Sequence, residues 1–459
     1  MTRTGLRMAA SVSVAVLLMS PSAWAVTPPS VAPDAVPPVG GTGPMVAMAQ
    51  RTPCTTTGVI PGTAVATTAA NQQLLDLAGA WRYSRGEAQT VAVIDTGVTP
   101  GPRLPNVDEG GDYVGNTGGL SDCDGHGTLV AGIIAGQPGD DTFSGVAPAA
   151  RLLSIRLTSA AFSPLEPGDD PPTTRAAIDI ASLARAVVHA AELGARVITI
   201  STVTCLRTDS VVDQQALGAA LRYAAVDRDA VVVAAAGDTG PADLPGGAEC
   251  AANPISPATD PGDPRNWGGV TAVSVPSWWQ PYVLSVGSLT STGQPSAFTM
   301  TGPWLGIAAP GENIVSVSNA GAVGLANGIP GPRGKWTTLN GSSYAAAYVS
   351  GVAALIRSRF PNLPAAQVIE RMQATAHNGA RDPSNLVGSG TVDPVAALTW
   401  QLPPAAVRVG GGPTRIAAPT APPPEDHTGR TIAFAGTAVL ALAVAVTGIA
   451  AHRRKDHQE

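Results

Sequence analysis

The sequence predicts an α/β protein built on a parallel sheet, with an N-terminal extension and a C-terminal membrane helix. Three observations carry this. Short β-branched runs at 91–94, 152–156, 197–200, 231–235 and 283–287 are apolar throughout rather than alternating, as strands are when both sheet faces are covered. Amphipathic or Ala-rich stretches lie between them; in one, Ile180, Leu183, Val187 and Ala190 recur at helical spacing until Gly194 stops the run. Strand–helix–strand alternation implies parallel pairing with right-handed crossovers. Thirdly, an apolar segment stands near each end of the 459-residue chain.

The first of these segments, 1–25, reads as an export signal. Arg3 and Arg7 give the basic start, 8–19 the apolar stretch, and Ala23-Trp24-Ala25 the small-residue cleavage site. Residues 26–86 form the extension: Pro- and Val-rich over 26–45, holding Cys54, and with a short helix expected over 72–81. The α/β body follows over 87–400, interrupted at 163–174 by a Pro-rich stretch that reads as an inserted surface loop. Residues 401–430 are a Pro-rich linker; extended at ~3.1 Å per residue it would hold the body several tens of Å from a bilayer. Residues 431–451 carry no charge and are long enough for a helix to cross a hydrocarbon core of ~30 Å. His452-Arg453-Arg454-Lys455 opens the tail 452–459, which the positive-inside rule places in the cytoplasm. The body is therefore expected outside the cytoplasm, on a single-pass cell-membrane anchor.

Composition narrows the function. Net charge is −6 and Lys and Arg cluster only at the C-terminal tail, so no nucleic-acid partner is expected. The cysteines are Cys54, Cys123, Cys205 and Cys250, an even number in an exported chain, which points to two disulfides with three possible pairings. No C-x-x-C or H-x-x-x-H spacing supports a metal site, and no metal or cofactor is expected.

Three segments carry chemistry. Val91-Ala92-Val93-Ile94-Asp95 ends a buried strand in a carboxylate at its C-terminal edge, where ligand sites of α/β sheets gather. In Asp122-Cys123-Asp124-Gly125-His126-Gly127-Thr128, glycines flank an imidazole and allow close approach, before an apolar helix expected over 129–135. In Leu339-Asn340-Gly341-Ser342-Ser343-Tyr344, a Gly-containing turn delivers Ser343 to the start of a small-residue helix expected over 344–357, whose free N–H groups suit an oxyanion. Together they compose a nucleophile (Ser343), a base (His126) and an orienting carboxylate (Asp95).

These segments, in the order Asp…His…Ser, resemble the subtilisin-like serine proteases, whose chain order is a standard illustration of triad variety. Gly145-Val146-Ala147-Pro148 and the runs at 197–201 and 231–237 match further landmarks, so the resemblance spans roughly 87–399. The whole layout is similar to the mycosins, the subtilases of type VII secretion systems. The resemblance implies a doubly wound sheet, disulfides Cys54–Cys123 and Cys205–Cys250, and substrate strands laid beside Ser201, Thr202 and Val203. It implies an endopeptidase acting on protein or peptide substrates within a type VII secretion membrane complex, or else a stabilising component of that complex with dispensable catalysis. An esterase or amidase using the same triad is the third reading.

Two departures matter. Val203 and Thr204 stand where many subtilases have glycines, so a narrow pocket taking small side chains before the scissile bond is expected. Asp238 stands where Asn usually donates to the oxyanion, and a carboxylate donates only when protonated. A slow enzyme that quickens as pH falls is the expectation.

Overall fold

The computed structural model describes residues 26–65, 70–166, 172–240, 249–255, 260, 262–331, 334–379, 383–402 and 428–455. The signal segment 1–25, nearly all of the linker (403–427) and the last four residues of the tail lie outside them. The chain divides into two units, Met1–Gln401 and Leu402–Glu459.

At the centre of the first unit is a seven-stranded sheet: β1 Thr90–Asp95, β2 Val107–Asp112, β3 Arg151–Arg156, β4 Val197–Ile200, β5 Val231–Ala235, β6 Val283–Leu289 and β7 Leu305–Pro310. Its order is β7-β6-β5-β4-β1-β3-β2, and every pairing is parallel. Chain order reverses at β1, which lies between β3 and β4, so its C-terminal end opens at a topological switch point. Asp95 is the last residue of that strand.

The apolar runs are continuous because each strand feeds two cores. Val91 and Val93 join one cluster, Ala92 and Ile94 the other; Val231 and Val233 face the first side, Val232 and Ala234 the second. Helices α1 (His126–Ala135) and α4 (Ser342–Arg359) cover the first face, α2 (Pro172–Glu192) and α3 (Gln215–Arg222) the second. Helix α4 is buried from Ser342 to Arg357, and its small residues allow this: a Cβ at Gly351 would lie 2.5 Å from Val146 Cβ.

The five expected strands are all present. The two that the apolar pattern did not mark, β2 and β7, are the sheet edges, where Val107-Asp108-Glu109-Gly110-Gly111-Asp112 is charged and Leu305-Gly306-Ile307-Ala308-Ala309-Pro310 ends in proline. Both functional helices begin earlier than expected, at His126 and Ser342, because Gly125 and Gly341 occupy the capping positions. The helix expected over 72–81 is two short ones, Ala70–Leu74 and Leu77–Ala80. The chain breaks between them at left-handed Asp76, which caps Gly79 N–H.

The stretch 163–174 is less loop than expected. Phe162–Pro164 forms a strand antiparallel to Met48–Gln50 of the extension, and α2 starts at Pro172; residues 167–171 lie outside the described ones. The start of the extension docks on the second face, where Ala32 N–H donates to Gln215 Oε1 at 2.8 Å and Arg185 donates to the carbonyls of Thr42 and Gly43 at 3.0 and 3.2 Å; its later residues Leu75, Leu77 and Ala80 join the core of the first face.

The described residues of the second unit include one helix, Thr428–Lys455. Its side chains are described only over 433–449, where apolar residues such as Phe434, Val439 and Leu440 are exposed. Among the residues with described side chains no helix is long and apolar enough to cross a membrane; the span expected over 431–451 runs past these, 433–449, at both ends.

Candidate active site

Three backbone devices converge at the C-terminal end of β1. The strand delivers Asp95, α1 delivers His126 as its first residue, and the first turn of α4 delivers Ser343. His126 Nδ1 lies 2.7 Å from Asp95 Oδ1, and Nε2 lies 2.8 Å from Ser343 Oγ. All three residues are buried. The close approach needs glycine: a Cβ on Gly127 would overlap the Gly97 carbonyl and come 3.2 Å from Asp95 Cβ. Burial disfavours the charged imidazole, but the Asp95 charge and hydrogen bond outweigh it, helped by Asp122 and Asp124, and the His126 pKa is raised. The Tyr344 ring, itself fully buried, stands 5.3 Å from the imidazole.

A fourth residue, Asp122, holds this arrangement. Its Oδ1 accepts from Thr96 Oγ1 (2.8 Å), Gly125 N–H (2.8 Å) and Asp124 N–H (3.2 Å), and its Oδ2 from Thr128 N–H (2.8 Å) and Oγ1 (2.6 Å). Asp122 thus ties the residue after Asp95 to the turn before His126 and to the first helical turn after it. Burial pushes its carboxyl up to about 6 against these donors. The motif contained this residue, but only the fold reveals its five donors.

The second half of the site is built around Gly237 and Asp238. Gly237 N–H donates to Ser342 Oγ at 3.1 Å, and Ser342 N–H donates to the two carboxylate oxygens of Asp238 at 3.1 and 3.2 Å. Asp238 therefore faces the start of α4 with an acceptor. Burial raises its pKa; the Ser342 donors and the nearby His126 charge pull it back only in part. Ser201, Thr202 and Val203 follow directly on β4, and Val203 covers Gly237: a Cβ there would meet Val203 Cγ2 at 3.5 Å and Cys250 Sγ at 2.7 Å. The Ser201 and Thr202 hydroxyl oxygens are buried and find no hydrogen-bond partner among the described residues.

Both disulfides border the site. Cys54–Cys123 joins the extension to the loop before His126, and Cys205–Cys250 joins the strand after Val203 to the one beside Asp238–Thr239.

The pattern of the subtilase family matches residues 86–390, and Mycosin-3 of Mycobacterium tuberculosis is 60% identical over 446 residues, 96% of each chain. The chain belongs to the subtilase family, within its mycosin group. Mycosin-1 of Mycolicibacterium smegmatis is 44% identical over 446 residues, covering 96% of this chain and 97% of that one. Among solved structures, the MycP3 protease from the type VII (ESX-3) secretion system superposes with a TM-score of 0.79 at 64% identity, covering 82% of this chain and all of that one. A chain of an intact ESX-5 inner membrane complex superposes with a TM-score of 0.79 at 45% identity, covering 93% of this mycosin-group chain and all of that one.

Proposed function

We propose that this subtilase is a serine endopeptidase whose body works on the extracytoplasmic side of the cell membrane, within a type VII secretion complex. The observation that carries the reading is the unbroken hydrogen-bonded line from Asp95 through His126 to Ser343. Ser343 Oγ attacks the peptide carbonyl as His126 Nε2 takes its proton. Asp95 accepts from Nδ1–H, fixes that tautomer and stabilises the imidazolium. His126 then returns the proton to the leaving amine, and water attacks the acyl-enzyme by the same route. The developing oxyanion lies toward the N-terminus of α4, whose positive dipole end favours it. Asp238 assists only in its protonated form, as a donor.

Membership of the complex is supported by its structural relatives, one a chain of an ESX-5 inner membrane complex and one the protease from an ESX-3 secretion system. Anchoring by 431–451 is supported by the absence of charge there, by the basic residues that follow, and by apolar side chains exposed along that helix. The deciding experiment is labelling of the full chain with an active-site serine phosphonate: wild type takes the label and Ser343→Ala does not. A wild type that stays unlabelled while folded removes the endopeptidase reading.

Asp238 favours a second reading, in which the fold stabilises the complex and catalysis is dispensable. Secretion restored by Ser343→Ala in a deletion strain supports it; secretion lost with Ser343→Ala supports the peptidase.

A further inference from the structure

The Asp122 side chain holds the loop before His126 from within; the peptide carbonyls of that loop are met from the other side by the N-terminal extension. Thr55 N–H donates to the Cys123 carbonyl at 2.8 Å, next to the Cys54–Cys123 bridge. The Asp122 carbonyl accepts from Asn319 Nδ2 at 3.1 Å. That same nitrogen donates to the Thr55 carbonyl at 2.9 Å, while Asn319 Oδ1 accepts from Thr57 N–H at 2.9 Å and from Thr57 Oγ1 at 3.2 Å. We infer that Asn319 is a positioning residue for His126: it clamps the extension onto the catalytic loop and so fixes where the imidazole stands. The inference rests on the endopeptidase reading and goes beyond it, because it gives the extension, and a residue far from the triad's own segments, a part in the rate.

Saturation is the first argument. An Asn side chain offers two N–H donors and a carbonyl oxygen with two lone pairs. Asn319 uses all of them, and every partner lies in the extension or in the loop. Thr57 is buried, and the Ser318 hydroxyl donates to its carbonyl at 2.7 Å, so the extension is held at two successive residues. Proximity is the second. Gly125, the residue before His126, has φ 80°, and a Cβ on it would lie 2.5 Å from Thr57 Cγ2 and 3.3 Å from Asn319 Cγ. Thr57 and Asn319 thus pack against the peptide that opens α1. The segment carrying Asn319 is itself fixed to that helix, because Ser316 Oγ donates to the Leu129 carbonyl at 2.6 Å. Extension, loop and helix are locked to one another around one amide.

Geometry of the reaction is the third. His126 Nε2 must meet Ser343 Oγ and then the leaving amine, and a misplacement of about 1 Å can cost about 10² in rate. Asn319 makes no hydrogen bond to Ser201, Thr202 or Val203 among the described residues, so the clamp bears on turnover and not on substrate binding. Asn327 supplies the contrast. Its Oδ1 accepts from Ile60 N–H and its Nδ2 donates to Thr63 Oγ1, both at 2.8 Å, so it ties down the extension further along without a hydrogen bond to the loop.

The test measures peptide cleavage by the full chain in detergent, with circular dichroism to confirm folding and hydrogen–deuterium exchange to follow the amides of 122–128. Asn319→Ala lowers kcat by about ten-fold or more, leaves KM within about two-fold, and speeds exchange over 122–128. Asn319→Asp keeps the acceptor for Thr57 but loses the donors to Thr55 and Asp122, and its kcat falls as far. Asn327→Ala changes neither kcat nor exchange over 122–128. Should Asn319→Ala fail to fold, Thr57→Val, which removes one hydroxyl from the clamp at nearly constant volume, lowers kcat by about three-fold or more with KM unchanged. A kcat for folded Asn319→Ala within about two-fold of wild type overturns the inference and leaves the peptidase standing. An equal loss in Asn327→Ala, or wild-type turnover by Asn319→Asp, also overturns it. If wild type cleaves nothing, exchange decides: acceleration confined to the Asn319 variants supports the clamp and removes the peptidase, and unchanged exchange overturns both.

Discussion

The imidazole half of the site and its oxyanion half are built to different standards. Around His126 the carboxylate accepts, the serine hydroxyl can donate, and Asp122 fixes the backbone that presents them. Around Asp238 an acceptor sits where the proposed chemistry needs a donor, and its strong contacts, to Ser342 N–H, suit the anion. Proton transfer is prepared in advance; charge stabilisation has to wait for a proton. Nucleophile activation and oxyanion binding are thus separable in this fold, and each half can be broken without the other.

The largest effect belongs to the prepared half. Asp95→Asn leaves the imidazole in the wrong tautomer and should lower kcat by about 10⁴, as loss of the orienting carboxylate does elsewhere. Steady-state cleavage of a peptide substrate measures it, with circular dichroism to confirm folding. A fall of less than ten-fold would mean that Asp95 does not orient His126.

Asp238→Asn probes the unprepared half and should act in the opposite direction. An amide keeps an acceptor for Ser342 N–H and supplies the missing donor, so kcat at pH 8 should rise by about 10², the scale on which oxyanion donors act. The pH profile carries the sign. His126 must be neutral, and its pKa is raised, so this requirement makes the rate climb with pH. Asp238 must be protonated, and it loses its proton as pH climbs through its own raised pKa, so this requirement makes the rate fall. The sequence alone suggested a rate that simply quickens in acid; the raised imidazole pKa makes the profile bell-shaped instead. In Asp238→Asn only the rising limb should survive. A variant ten-fold slower than wild type, with folding intact, would falsify this account of Asp238.

Both halves were legible in the sequence to the extent that backbone grammar announces them. Asp95 ends an apolar run, His126 stands between glycines and Ser343 follows a glycine turn, so the triad could be named from local pattern. The disulfide pairings came from family resemblance, since four cysteines leave three choices. What stayed hidden depends on groups far apart in the chain. Asp122 looks like any loop aspartate until Thr96, Gly125 and Thr128 converge on it, and Val203 reveals its second contact only when Gly237 folds beneath it. The edge strands β2 and β7 were missed for different reasons: β2 is charged, whereas β7 is apolar and fully buried but carries Gly, Ala and Pro where the other strands have β-branched residues.

Asp122→Asn tests whether the imidazole half owes its order to that one residue. The amide NH₂ must face either the Thr128 donors or those of Thr96 and Gly125, leaving at least one buried N–H unpaired at a cost of about 1–3 kcal/mol. The melting temperature should drop accordingly, and kcat should fall about ten-fold with KM little changed, because the His126 loop loosens while the substrate strand is untouched. The pH dependence is specific. A carboxyl raised to about 6 destabilises the fold progressively as pH rises from its unfolded value near 3.8, so the stability gap between wild type and variant should narrow over that interval. A gap that widens there would mean that the five donors, rather than burial, dominate Asp122.

The smallest effect concerns the substrate side of the oxyanion half, where Val203 lies over Gly237 with Cys250 Sγ behind it. If the residue before the scissile bond inserts there, the valine side chain limits its size. Val203→Gly should raise the Phe-to-Ala kcat/KM ratio at that position by about ten-fold, the low end of what a methylene or two is worth in an apolar pocket. The Cys205–Cys250 bridge still bounds the space, so the gain should stop short of full aromatic preference. A library profile decides it. Should Phe stay as poor a substrate as before, the bridge and not Val203 sets the limit, and shortening the side chain at 203 would affect only the flexibility of the strand.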